Sequence, residues 1–176
     1  MRSEEEAFEI AVTKTIHKEG APNTEDGDRG GTTVYGISQA FLSRISGGPV
    51  SSGHVLGLSL KDAKDIYRLY FWLQPRIHKL HDDALREAVF DQGVNRGPEN
   101  SVKSLQKAYS ALSKRNLAID GILGPKTLEA VTTVDAAAML KQFVKESQIA
   151  YARIVQVNQS QAKFLVGWLN RTWTYI

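Results

Sequence analysis

The chain has no cysteine among its 176 residues, which excludes disulfide stapling, thiolate catalysis and cysteine-ligated zinc. It has no apolar run near the roughly 20 residues that a membrane span needs, so no stable membrane insertion is expected. The opening Met1-Arg2-Ser3-Glu4-Glu5-Glu6 is acidic and lacks the apolar core of a signal peptide. It predicts a soluble protein made in the cytoplasm. Other signatures are also missing. The four histidines (His17, His54, His78, His81) form no H-E-x-x-H, no G-x-S-x-G elbow occurs, and Gly30-Gly31 lacks the surroundings of a phosphate loop. Basic residues are not interleaved with aromatics as in single-strand nucleic-acid binding. No nucleic-acid partner, metal or other cofactor is expected.

What is present is an ordinary globular composition, 42% hydrophobic and 23% charged, sufficient for one sizeable core. A net charge of +3 leans toward an anionic partner such as a cell-wall polymer or membrane surface, weakly, because lysine and arginine are dispersed. There is no internal repeat, and a monomer is expected.

Helix signals dominate. Ser3 with Glu6 forms a capping-box pair opening a first helix, in which Phe8, Val12 and Thr15 share a face with Glu19. Gly20 suits the helix stop. A turn-rich stretch leads to one strand, Thr32 to Ile37, read as half of a hairpin. Ser38 caps a helix to about Ile45, and Ser46 to Gly53 reads as loop. Ser59 with Asp62 opens a helix that carries Ala63, Ile66, Tyr67, Tyr70 and Phe71 inward, until Pro75 breaks it. A helix from Asp82 to Gln92 is expected to end at Gly93-Val94-Asn95-Arg96-Gly97. Pro98 opens the next, to about Lys114. Pro125 opens a short helix, Asp135 caps a long one to about Val157, and Ser160 to Trp173 is the last. Leu105, Ala108, Tyr109, Leu112, Leu128 and Val131 read as packing positions, and Trp168 with Trp173 as core. The fold class is mainly α with one small β-hairpin beside the site. The chain reads as one compact domain, with a catalytic half (1–92) and a helical half (93–176).

One segment suggests chemistry. Glu19 ends the first helix on its apolar face, where desolvation and the helix C-terminus both favour a protonated carboxyl. That suits a general acid. The plainer alternatives are an exposed helix-end glutamate or a buried one paired with an arginine. Asp28, in a polar glycine-rich loop, should stay ionised, and an acid with a contrasting carboxylate is the pair that glycosidic cleavage uses. Taken alone, Asp28 is better explained as bracing its own turn, and Glu25 and Asp26 compete for the catalytic role. Thr32 or Thr33 could hold a water beside it, since alternation aims one hydroxyl at the cleft.

Glu19-Gly20, Asp28-Arg29-Gly30-Gly31-Thr32-Thr33 and Gly36-Ile37-Ser38 resemble the opening of glycoside hydrolase family 108, the N-acetylmuramidases found in phage endolysins and secretion activators. Ile66-Tyr67-Arg68, Tyr70-Phe71-Trp72 and Phe90-Asp91-Gln92-Gly93-Val94-Asn95-Arg96-Gly97 resemble its later segments. Leu105-Gln106, Asp120 to Thr127, Phe164 and Gly167-Trp168-Leu169-Asn170-Arg171 resemble its predicted peptidoglycan-binding half. The chain departs from the family at Ala21 and Pro22, where a glycine and an aromatic are usual. The resemblance implies a lysozyme-like fold and cleavage of the β-1,4 bond between N-acetylmuramic acid and N-acetylglucosamine in bacterial peptidoglycan. It implies Glu19 as general acid, with Asp28 orienting water or stabilising the transition state. The Glu, Asp, Thr order is also that of phage lysozymes, and their spacing favours Thr33 as helper. Gly31, Tyr35 and Asn95 are the implied substrate contacts. A phage endolysin without a signal peptide would wait in the host cytoplasm until a separate protein permeabilised the membrane.

Overall fold

The computed structural model describes residues 2–19 and 31–176. Asp28 lies outside the described residues, as do Gly20, Ala21, Pro22, Glu25 and Asp26. The described residues form nine α-helices and one two-stranded antiparallel sheet, the mainly α architecture the sequence predicts.

Helix α1 (Glu4–Glu19) opens with the expected capping box: Ser3 N donates to Glu6 Oε2 at 2.9 Å and Glu6 N to Ser3 Oγ at 3.2 Å. Its Ala7, Phe8, Ala11, Val12 and Thr15 are buried, and that phase carries on to Glu19. The expected Thr32–Ile37 strand is instead a complete hairpin, β1 (Thr33–Val34) and β2 (Ile37–Ser38), pairing Thr33 with Ser38 and Val34 with Ile37. Tyr35 and Gly36 form the two-residue turn at φ 52° and 80°, both positive as a type I′ hairpin requires. The β-branched run hides that turn, because only Gly36 marks it in the sequence.

Ser38 caps α2 (Gln39–Ile45), its Oγ accepting from Phe41 N at 3.2 Å. A short helix, α3 (Ser52–Leu56), occupies the end of the expected loop. Ser51 caps it and Val55 is its buried residue. Five residues are too few to display a helical period. The Ser59–Asp62 capping box opens α4 (Leu60–Tyr67), which continues as a π-helical turn over Arg68–Leu73 before Pro75. Tyr67, Phe71 and Trp72 are buried there.

Asp82 caps α5 (Asp83–Arg96), its Oδ1 accepting from Leu85 N at 2.7 Å. The helix does not end at Gln92. It runs through Gly93 and stops at Gly97, at φ 88°. Gly93 is a packing glycine: a Cβ there would lie 3.5 Å from Pro98 Cα. Pro98 is the first residue of α6 (Pro98–Ser113). Then follow α7 (Pro125–Thr132), α8 (Ala136–Val157, capped by Asp135) and α9 (Ala162–Trp173). The irregular stretch before α7 is held by buried Gln106, whose Nε2 donates to Asp120 Oδ1 at 2.7 Å and whose Oε1 accepts from Gly121 N at 2.9 Å.

Helix α5 is the hub, contacting α1, α6 and α8 and buried over Leu85–Gly93. It crosses position 92 and so joins the halves 1–92 and 93–176. Phe8, Trp72 and Phe90 meet edge-on, with centroids 5.5–6.2 Å apart. Leu105, Ala108, Tyr109 and Val131 are buried as expected, whereas Leu112 is exposed. The expected tryptophan core is absent from α9. Trp173 faces solvent, and half-buried Trp168 stacks on Tyr151 at 5.0 Å, because α9 lies at the periphery with α8 as its main neighbour.

Candidate active site

Glu19 is the last residue of α1, and its side chain is 22% exposed. Its Oε1 lies 2.8 Å from Nη1 of Arg171 on α9. The separation is that of an ion pair, and among the described residues no group other than Arg171 approaches that buried oxygen as a donor. Arg171 spends its other edge on Asp91 of α5: Nε donates to Oδ2 and Nη2 to Oδ1, both at 2.9 Å. Asp91 is fully buried. It also accepts from Thr15 Oγ1 at 3.2 Å and has Lys18 Nζ at 3.6 Å. Four charges, two of each sign, thus run from Glu19 into the core. Burial opposes the charge of Arg171, but the bonds and field of Asp91, with the field and hydrogen bonding of Glu19, outweigh it and raise its pKa further. Burial lowers the pKa of Lys18, with Asp91 pulling the other way.

The helical phase predicts an apolar seat for Glu19, and in part it has one. The rest is this ion pair, the plainer alternative weighed for Glu19. The hairpin turn sits against it: a Cβ on Gly36 would be 2.7 Å from Glu19 Cγ and would collide with the Tyr67 hydroxyl. Glycine is required there twice over, for its positive φ and for this contact. Tyr67 OH donates to Tyr35 O at 2.9 Å. Burial raises the pKa of Tyr67 and the charge of Glu19 adds to it, so the phenol remains a donor.

Gly36 and Tyr67 are also walls of a groove of about 570 Å³ between the hairpin, α2, the π-helical turn and the α5–α6 junction. Ser38, Arg44, Tyr70, Phe71 and Arg96 line it further along. Among the described residues no acidic side chain does.

The predicted residues separate into two places. Gly31 (φ 67°), Thr33 and Tyr35 all belong to the hairpin or its approach, beside the groove but outside its wall. Thr33 Oγ1 reaches Gly31 O at 3.4 Å. Asn95 is on the last turn of α5, accepting from Tyr151 OH at 2.5 Å, and lines a different cavity formed by α5, α6, α8 and α9. Asp28 is outside the described residues. Sequence reasoning missed Tyr67, Asp91 and Arg171 as parts of the site. Each stands in a segment that resembles the family, but nothing local marks a partner for Glu19. Among the described residues no group of three His, Asp or Glu could hold a metal ion, and no helix is long and apolar enough to cross a membrane.

Residues 12–97 match the Glycosyl hydrolase 108 family, and residues 100–173 match the family described as Predicted Peptidoglycan domain. No curated protein matches the sequence. The solved structure of Brucella abortus SagA is 28% identical, with a TM-score of 0.83 over 97% of this chain and 92% of that one. The hydrolase match ends at Gly97, the stop of α5, and the second match covers nearly all of α6 to α9. Matched in order over both halves, and sharing the mainly α fold with its single hairpin, the chain belongs to the glycosyl hydrolase 108 family.

Proposed function

We propose that the chain is an N-acetylmuramidase that hydrolyses the β-1,4 bond between N-acetylmuramic acid and N-acetylglucosamine, acting as a phage endolysin. The observation that carries this reading is Glu19 packed against Gly36, the hairpin-turn residue that also lines the groove. Glu19 is the general acid that protonates the leaving glycosidic oxygen. Arg171, anchored twice by Asp91, fixes its position through one Nη1 contact. Asp28 orients the attacking water or stabilises the oxocarbenium-like transition state, a role that rests on the resemblance. Thr33 assists, and Gly31, Tyr35 and Asn95 contact sugar or its substituents. The protein acts as a monomer, accumulates in the host cytoplasm and reaches the wall once a separate protein has permeabilised the membrane.

Glu19→Gln keeps the shape of the side chain and removes its proton chemistry. It should lower peptidoglycan clearing by roughly 100- to 10,000-fold with an unchanged circular dichroism spectrum. Retained activity would refute the assignment of the acid. Mass spectrometry of the wild-type products decides the reaction: reducing muramic ends mark hydrolysis, whereas 1,6-anhydro ends mark a lytic transglycosylase.

A further inference from the structure

The cavity that holds Asn95 has a charge pattern that the cleavage reaction does not use. It encloses about 370 Å³ between the end of α5, α6, α8 and α9, within the roughly 300–1,000 Å³ range of ligand sites. Among the described residues three cations line it, Arg96, Lys107 and Arg153, and no acidic side chain does. Arg96 is half-buried. Its Nη2 donates to the hydroxyls of Ser104 and Ser147, each at 3.2 Å, and its Nε reaches Gln92 Oε1 at 3.4 Å. Its guanidinium lies 5.0 Å from the centre of the Tyr151 ring. All of these partners are neutral. Among the described residues no carboxylate lies within 4 Å of Arg96, Lys107 or Arg153. A partly desolvated guanidinium without a counter-charge is costly, and the usual resolution is an anion bound from outside. Burial correspondingly lowers the pKa of Arg96, offset in part by Tyr151.

Two further features narrow the ligand. Trp168, stacked on Tyr151 at 5.0 Å and an interplanar angle of 20°, gives the cavity an apolar wall. Arg96 also lines the groove beside the hairpin, so the two sites share one side chain. A linear glycan alone would not need two sites joined at a cation. A glycan bearing short acidic peptides would fill both.

We infer that this cavity binds the peptide stem of peptidoglycan, its carboxylates on Arg96, Lys107 and Arg153 and its alkyl groups against Trp168. The inference rests on peptidoglycan being the polymer. Arg96 is then the point where glycan and stem diverge. With Nη2 and Nε of Arg96 bonded to Ser104, Ser147 and Gln92, its Nη1 is the group that meets a carboxylate, and half-buried Lys107 and exposed Arg153 add attraction for the acidic stem.

The test uses full-length protein carrying Glu19→Gln, so that binding is read without turnover. Co-sedimentation is measured with sacculi freed of phosphate-bearing polymers, and with the same sacculi stripped of stems by an amidase. Stripping leaves a lactyl carboxylate on each muramic acid, so a loss of binding reports the stem and not charge alone. Binding to intact sacculi should be about tenfold or more tighter than to stripped ones. Adding Lys107→Glu and Arg153→Glu should remove that difference, and the advantage should shrink with salt. Equal binding to both sacculi overturns the inference, as does an undiminished preference in the double variant or binding that disappears with the phosphate polymers. The hydrolase reading fails separately, if the wild-type protein releases no new reducing ends.

Discussion

Asp91→Asn tests the charge chain beneath Glu19. The carboxylate is fully buried and faces two Arg171 donors at 2.9 Å, the Thr15 hydroxyl at 3.2 Å and Lys18 at 3.6 Å. Asparagine keeps the volume but turns one acceptor into a donor aimed at a cation. Arg171, whose side chain is 11% exposed, would then hold a charge matched only by its single contact with Glu19. Removing one member of a buried pair costs about 3–5 kcal/mol. Little solvent screening discounts that figure at such low exposure. For a chain of this size each kcal/mol moves Tm by about 2–4 °C, so Tm should fall by roughly 6–20 °C. Urea and thermal unfolding at neutral pH measure it directly. Arg171→Met in the same background should recover much of the loss, because both charges are then gone, and the shortfall from additivity reports their coupling. A cost below about 1 kcal/mol, or strict additivity in the double variant, would refute a coupled buried pair.

Two other perturbations probe the hairpin and the caps. Gly36→Ala places a methyl at φ 80°, costing about 1–2 kcal/mol in backbone strain, and drives it into Glu19 and Tyr67. Turnover should drop by up to roughly 100-fold as the carboxylate is displaced. A variant with wild-type kcat would show that Glu19 is free to move without cost. In acid, Glu6 and Asp62 accept hydrogen bonds from Ser3 and Ser59, and Asp120 from Gln106 and Ile122 N, and these bonds hold their pKa values below the ordinary 4.5 and 3.8. Folded values below unfolded ones mean that this stability is complete above the ordinary values and is lost as pH falls through the folded ones. Tm should therefore be flat near neutrality and decline below about pH 4. A Tm independent of pH down to about pH 3 would count against these caps.

The legible parts of the fold were those whose cause is local. Ser3 with Glu6, Ser59 with Asp62, Asp82, Pro98 and Asp135 each mark a helix start through chemistry within four residues. The misread parts had causes at a distance. Gly93 reads as a breaker until Pro98 is seen packed on it, and Tyr35-Gly36 reads as strand because the composition around the turn is β-branched. At the site, helical phase gives the inward face of Glu19, but its partner comes from α9 and is invisible to any window along α1. Asp91 reads as an ordinary helix residue until side chains from two other helices, α1 and α9, converge on it.

Glu19 and Arg171 are 152 positions apart (171 − 19) in the chain. During synthesis at roughly 5–20 residues per second, the carboxylate waits roughly 8–30 seconds for the side chain that fixes it. A nascent chain, or a fragment cut anywhere between those positions, carries Glu19 without its ion-pair partner. Assembly of the Glu19–Arg171 pair is thereby tied to the emergence of the last helix, and under the proposed role of Glu19 a chain cut before that helix should release no reducing ends.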